Sequence, residues 1–442
     1  MSEVLVNPQK LVRKISLHVL WLPFLLGAVS IIDRTNLSYA ALRMNAEFGF
    51  TATMYGLGAG ILFLGYFLFE VPSNMLLRKL GSRTWLARIG ISWGILSAAN
   101  AVISNEATFY VIRFLLGVAE AGLFPGVLLY LTFWFPVKGK ARANALFMTA
   151  VPVASIIAAP ISGWLVGYDQ IWGIKGWQFM FIFWAAPAVI LGVLVLILLP
   201  NGPEEVKWMT NDEKTWLKGQ LESEAKSNVE EKRHSFGDAF RDRNTWVFSV
   251  IYFCYAVGQY GMIFFLPQIL ARFDYAPAQI GLIAALPYVA GLIAMILVAR
   301  HSDKTGERRW HFAVPMFIAG LSLLAAGLSV SIPLLAIILL IITGGAIFSS
   351  LGNFWSRPSA MFSGAAAAAG LALINSLGNI GGFVGPYVMG FLQDLSGTNV
   401  TGLFFMSALA IVGGLLSVFA VKERRNAGEV KLWEQRRVLS RE

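Results

Sequence analysis

TMYGLGAGILFLGYFLFEVPSNMLL, residues 53–77, holds a single charged side chain, Glu70, and is followed at once by Arg78-Lys79-Leu80-Gly81-Ser82-Arg83. As a helix this run is about 37 Å long, more than the roughly 30 Å of a bilayer's hydrocarbon layer. The basic turn marks the return to water. Runs of the same kind lie on either side. Ser16 to Ala40, Thr84 to Ser104, Thr108 to Trp134, Ala141 to Val166 and Trp177 to Leu199 complete the first half. Thr245 to Leu270, Ala278 to Ala299, Phe312 to Val330, Ile332 to Trp355, Gly364 to Leu392 and Gly402 to Val421 fill the second. The pattern predicts an all-α membrane protein of twelve transmembrane helices. Residues 1–200 form a first six-helix bundle, 201–243 a linker loop, 244–422 a second bundle and 423–442 a polar tail.

Composition agrees with lipid as the main solvent. Of 442 residues, 57% are hydrophobic and 14% charged, with a mean hydropathy of +0.65, which excludes a soluble domain. The first apolar run carries Asp33 and Arg34 and lacks a small-residue cleavage site, so it reads as a retained helix. The one cysteine, Cys254, forbids an intramolecular disulfide, and His18, His234, His301 and His311 are scattered. No metal, cofactor or intramembrane catalytic triad is expected. The net charge of +10 is explained by placement: 30 of the 35 Lys and Arg lie in or beside the leader, the tail and alternate connections, against Arg43, Lys175 and Arg272 on the other side. Such a bias predicts cytoplasmic termini and a cytoplasmic linker, and it reads the basic pI as topology, with no nucleic acid as partner. Gly56-Leu57-Gly58-Ala59-Gly60 lies inside a helix, where it predicts close helix packing in place of a nucleotide loop.

The halves repeat. Arg78 to Arg83 follows the second helix of the first half, and Asp303-Lys304-Thr305-Gly306-Glu307-Arg308-Arg309 follows the second helix of the second. Duplicated bundles of this kind build a midplane site between parts that rock against each other. On these turns the chain resembles the major facilitator superfamily, whose signature G-x-x-x-D-R/K-x-G-x-R/K-R/K the second copy fits. The first departs from it, with Arg78 in place of an acid and Asn74 in place of glycine. The resemblance implies a gating role for Asp303, Lys304, Gly306, Arg308, Gly81 and Arg83. The segments Ile32 to Ser38, Glu70 to Asn74 and Arg113 to Gly122 further resemble the anion:cation symporters of that superfamily.

Charges inside the apolar runs single out the site. Asp33 and Arg34 lie in helix 1, Glu70 in helix 2, Arg113 and Glu120 in helix 4, and each costs about 2.5 to 3.5 kcal/mol near a bilayer centre. Glu70 sits one turn or two from Arg78 and reads as a salt-bridged helix end. Arg113 and Glu120 are seven residues apart, about 700° of helix, and so share one face roughly 10 Å apart in height. The four deeper charges either neutralise one another as a structural network or form a functional site. With both acids ionised they sum to zero, and with both protonated to +2, a state that favours a carboxylate. The expectation is that Arg34 and Arg113 bind or gate the anion while Asp33 and Glu120 carry protons, roles that the resemblance also implies.

The apolar spans of the second half carry no charge, so that half is expected to contribute Gln259, Tyr260, Asn353, Trp355, Asn375 and Asn379. Amides both donate and accept, which suits hydroxyl groups. The resemblance adds Tyr66 and favours Asn379, whereas Ile31 and Val151 replace polar residues of the family's sugar-acid members. The sequence thus points to a monomeric secondary transporter of a bacterial-type inner membrane, driven by protons and importing a hydroxy acid or sugar acid such as tartrate. Aromatic carboxylate symport, exchange or efflux, and a transporter-like receptor are the other readings.

Overall fold

The computed structural model describes residues 6–230, 240–361 and 364–421; the tail 423–442 lies outside the described residues. Helix α1 (Pro8–Val19) starts at an Asn7 cap whose side chain accepts from the amides of Gln9 and Lys10, satisfying donors the first turn leaves free. It is bent by 49° from α2 (Trp21–Phe48). The first membrane helix therefore begins five residues later than the apolar pattern predicts and runs eight residues further. The leader contains its own amphipathic helix, with Leu11, Ile15 and Val19 buried.

Helix α3 (Ala52–Leu80) is capped by Thr51 and ends at Gly81, whose φ of 86° suits glycine. After α4 (Ser82–Ala99) comes α5 (Glu106–Glu120), opened by an Asn105 capping box. One continuous helix from Thr108 to Trp134 is the expectation, but the structure breaks it. Ala121 is extended (ψ 131°) and Gly122 left-handed (φ 84°) before α6 (Leu123–Leu131) resumes. The carbonyl freed at Ala121 accepts from Ser73 Oγ at 2.6 Å, and Ser73 in turn accepts from Trp85 Nε1 at 2.9 Å. Backbone released at membrane depth needs such a partner.

Helices α7 (Val137–Met148) and α8 (Ala150–Gly167), a hairpin pairing Gln170–Ile171 with Ile174–Lys175, and α9 (Gly176–Leu198) finish the first half. The linker is partly helical, as α10 (Asn211–Glu230). The second half comprises α11 (Arg243–Ala271), α12 (Pro277–Thr305), α13 (Arg309–Leu328), α14 (Pro333–Met361), α15 (Gly364–Ser396) and α16 (Val400–Phe419). Among the described residues nine spans are long and apolar enough to cross a membrane, ten with the bent α1–α2 pair as one. Helices α4 and α15 stand outside that count; α4 is only 18 residues long and carries Arg83 and Arg88.

Burial is inverted relative to a protein in water. Leu334, Leu297 and Val71 are exposed on the flanks while Arg113 is 0% exposed, as lipid on the outside and polar contacts within require. In the first half α4 packs on α9, α3 on α5 and α2 on α8; in the second, α11 packs on α15 and α13 on both α14 and α16. The halves meet along two seams, α3 with α15 and α8 with α12. Both seams are tight at the end of the molecule opposite the termini. Asp394 of α15 accepts from the amides of Ala52 (3.0 Å) and Thr53 (2.8 Å) at the start of α3, and Tyr55 donates to the carbonyl of Phe264 at 2.8 Å. Gly56 and Gly390 on one seam and Gly163 and Gly281 on the other lie directly against backbone of the opposite half.

Candidate functional site

At mid-membrane, where the seams enclose the centre, Arg34 of α2 meets Glu120 at the end of α5. Arg34 Nε donates to Glu120 Oε1 at 2.9 Å, and Ser30, one turn earlier on α2, donates to the same oxygen. The helix break immediately after Glu120 is what ends α5 there and aims the carboxylate at α2. Around the guanidinium stand three rings, Tyr66 (5.1 Å), Phe63 (5.7 Å) and Phe124 (5.8 Å), a cation–π enclosure. Tyr260 of α11 closes the fourth side, its hydroxyl 3.4 Å from Arg34 Nη1. Arg34 Nη2 and Glu120 Oε2 are buried without a protein hydrogen-bond partner. One guanidinium thus touches both halves of the molecule and keeps a donor to spare.

Asp33 neighbours Arg34 in sequence but, about 100° round the helix, faces the other way. It accepts from Trp93 Nε1 at 2.8 Å and from Ser97 Oγ, both on α4. Arg113 is bonded through Nε to the carbonyl of Gly58 at 3.3 Å, and its Nη1 and Nη2 are buried with no partner. Arg113 acts electrostatically on Asp33, Glu120 and Arg34. The four charges are therefore one electrostatic group, organised as one ion pair, one acid bonded to neutral donors, and one arginine without an acid in contact.

The residues expected from the second half divide. Gln259 is buried on α11 beside Tyr260. Trp355 packs edge-on to Tyr252 (5.0 Å) and Phe354 (5.2 Å). Asn353 directs its amide to the carbonyls of Ser349 (3.4 Å) and His311 (3.5 Å), within its own bundle. Asn375 and Asn379 are one turn apart on α15, and Asn375 Nδ2 crosses to α3, donating to Glu70 Oε1 at 3.2 Å. This corrects the sequence reading of Glu70. It is buried (8% exposed), pairs with an amide of the opposite bundle instead of Arg78, and leaves Oε2 unpartnered.

The two basic turns are built differently. Gly81 (φ 86°) lets the chain turn so that Arg83 ties to the segment after α9: its backbone amide bonds Asn201 Oδ1 (3.0 Å), its Nε the carbonyl of Leu199 (2.5 Å) and its Nη2 Glu205 (2.6 Å). The backbone amide of Asn201, and after it the contact with Arg83, hold the Glu205 carboxyl below the usual carboxylate range. In the second turn Gly306 has φ 71°, and Arg308 closes on Asp303 (2.6 Å) and Ser302 (2.9 Å), with Lys304 exposed. Among the described residues of the second half one buried charge escaped the sequence reading. Arg357 lies two residues beyond the predicted end of its span, on α14, and donates to Ser417 Oγ at 2.6 Å. Ser30, Trp93 and Ser97 were also missed as partners, although i, i+4 spacing places Ser30 over Arg34 and Ser97 over Trp93.

Known proteins agree with this architecture. A protein of Agrobacterium vitis whose name assigns it to tartrate transport is 42% identical over 426 residues, covering 96% of this chain and 94% of its own. A quinolone resistance transporter of Acinetobacter baumannii is 36% identical over 425 residues, covering 95% and 98%. The inward-open xylose transporter XylE of Escherichia coli shares the fold, with a TM-score of 0.74, 14% identity and coverage of 94% and 98%. The profile of the Major Facilitator Superfamily matches residues 23–386 and again 273–441. With that match along almost its whole length, the chain belongs to the Major Facilitator Superfamily and is a multi-pass membrane transporter.

Proposed function

We propose that this transporter imports a small organic anion together with protons, crossing a bacterial inner membrane twelve times as a monomer with both ends in the cytoplasm. The observation that carries the reading is the Arg34–Glu120 pair, a guanidinium held by an acid at the contact between the two halves, with nitrogen donors left over on Arg34 and Arg113. While Glu120 is ionised it occupies Arg34 and cancels its charge. Protonating Glu120 removes that competitor, so Arg34 becomes free to donate to the carboxylate of the anion. Proton and anion binding are then linked in the same sense, each strengthening the other. Asp33, bonded to neutral Trp93 and Ser97, is the second proton carrier of this scheme.

A hydroxylated aliphatic acid is the preferred cargo. Support comes from the amides of Gln259, Asn375 and Asn379 and from the relative named for tartrate at 42% identity. Aromatic carboxylates are favoured instead by the rings of Phe63, Tyr66, Phe124 and Tyr260 around the guanidinium. Adding tartrate to de-energised cells that express the protein is expected to alkalinise a weakly buffered medium as protons enter with the anion. An uptake that leaves external pH unchanged sinks proton symport, and alkalinisation on aromatic acids in place of tartrate selects the second cargo.

A further inference from the structure

Glu70 has no role in the pairing of Arg34 with Glu120, and its surroundings are unusual for a carboxyl at membrane depth. It lies on α3 one turn beyond Tyr66, toward the end of the molecule that carries the termini. Asn375 of the opposite bundle donates to one of its oxygens at 3.2 Å, and the other oxygen is buried without a partner. The charged or titratable groups that act on it are Arg34 from α2, Tyr66 from its own helix and Tyr252 from α11. Of these only Arg34 is a cation, and Arg34 is already bonded to Glu120. Among the described residues no cation is in contact with Glu70, so an ionised carboxylate there has one amide donor and no ion-pair partner.

We propose that Glu70 and Asn375 form a proton-dependent latch between the two bundles on the terminus-bearing side of the site. Protonated Glu70 is compatible with burial. Its hydroxyl can return a hydrogen bond to the amide oxygen of Asn375, so an acid and an amide bind each other through two complementary contacts. Ionised Glu70 can only accept, and in the closed seam it lies away from water and away from any free cation. Separation of α3 from α15 at this level hydrates the carboxylate, so ionisation favours opening. The sign is fixed: the latch holds at low pH and releases as pH rises. Where the termini are cytoplasmic, as in the reading above on which this direction rests, the alkaline side of an energised membrane is the side that releases it. A proton delivered with the anion would then leave to the cytoplasm as the seam opens.

The test measures the spacing of the bundles, independently of any cargo. Spin labels are placed at two exposed positions on the terminus-bearing ends of α3 and α12, Lys79→Cys and Arg300→Cys, with Cys254→Ala as background. Electron–electron distances are then recorded in nanodiscs at about pH 5.5 and about pH 8, an acid and an alkaline condition for a carboxyl. With Glu70 and Asn375 intact, the ratio of short to long distances is expected to fall by about tenfold between the two pH values, one decade for about 1.4 kcal/mol of linkage. Glu70→Gln, which remains neutral and still bonds an amide, is expected to keep the short distance at both. Asn375→Ala is expected to show the long distance at both. A pH response that survives Glu70→Gln, or none in the protein with Glu70 intact, overturns the latch. Failure of proton symport itself would be seen in the medium-pH experiment and leaves these distances unaffected.

Discussion

Glu120→Gln is expected to abolish proton-driven accumulation while leaving exchange of anion across the membrane intact. Gln keeps the shape of the side chain and can still receive the Arg34 and Ser30 hydrogens through its amide oxygen, but it cannot carry a proton in and release it. One coupled proton across one pH unit supports about tenfold accumulation, since about 1.4 kcal/mol corresponds to a factor of ten. In proteoliposomes with an inward proton gradient the variant should therefore bring the internal anion only to about the external level, whereas counterflow between loaded and external anion continues. In the variant Arg34 keeps a neutral partner that carries no titrating charge, so its anion affinity should also lose most of its pH dependence. Uphill uptake equal to that of the unmodified protein would remove Glu120 from the coupling scheme.

Gly390→Val and Gly56→Val should both slow transport sharply, by collision at the seam and without touching the charges. Gly390 faces the carbonyl of Ala52, and Gly56 that of Pro386; in both cases an added Cβ would strike backbone of the other half, with no flexible side chain to give way. Each bundle keeps its own packing, because the collision occurs only where α3 and α15 close. An overlap of that kind costs roughly 1 to 3 kcal/mol, enough to lower the closed population and the turnover rate by about 5- to 150-fold. Spin labels at Trp172→Cys and Ala276→Cys, on the side away from the termini, should report an increased separation. Thermal stability close to that of the parent would accompany it. Normal turnover in both variants would mean that this seam does not close during the cycle.

Most of the architecture was legible because lipid imposes a simple rule on sequence: long apolar helices, with basic residues between them. The places where the rule failed are local. The 49° bend after Val19 lies in a stretch where Leu20, Trp21 and Leu22 continue the apolar run, so hydropathy alone carries the helix straight through. At Gly122 the apolar residues again continue on both sides, and the break depends on Ser73, 48 residues away, supplying a hydrogen bond to Ala121. Membership of the charged cluster could be read from composition, since charges inside apolar runs are conspicuous. Their partners could not. Asp33 faces α4 because of the helix's rotation, and Glu70 finds Asn375 because the two bundles dock, neither of which is encoded in local spacing. Arg357 was missed by two residues at a helix end, the least sharply defined part of any pattern.

The connection between the bundles is moored to only one of them at its beginning. Pro200 accepts from Tyr130 (3.0 Å), Glu205 pairs with Arg83 (2.6 Å) and Glu213 with Lys14 (2.7 Å), while Trp208 stacks on His18 at 4.4 Å. Leu217 is fully buried in the same neighbourhood. The leader helix and the start of the connection therefore travel with the first bundle as ballast.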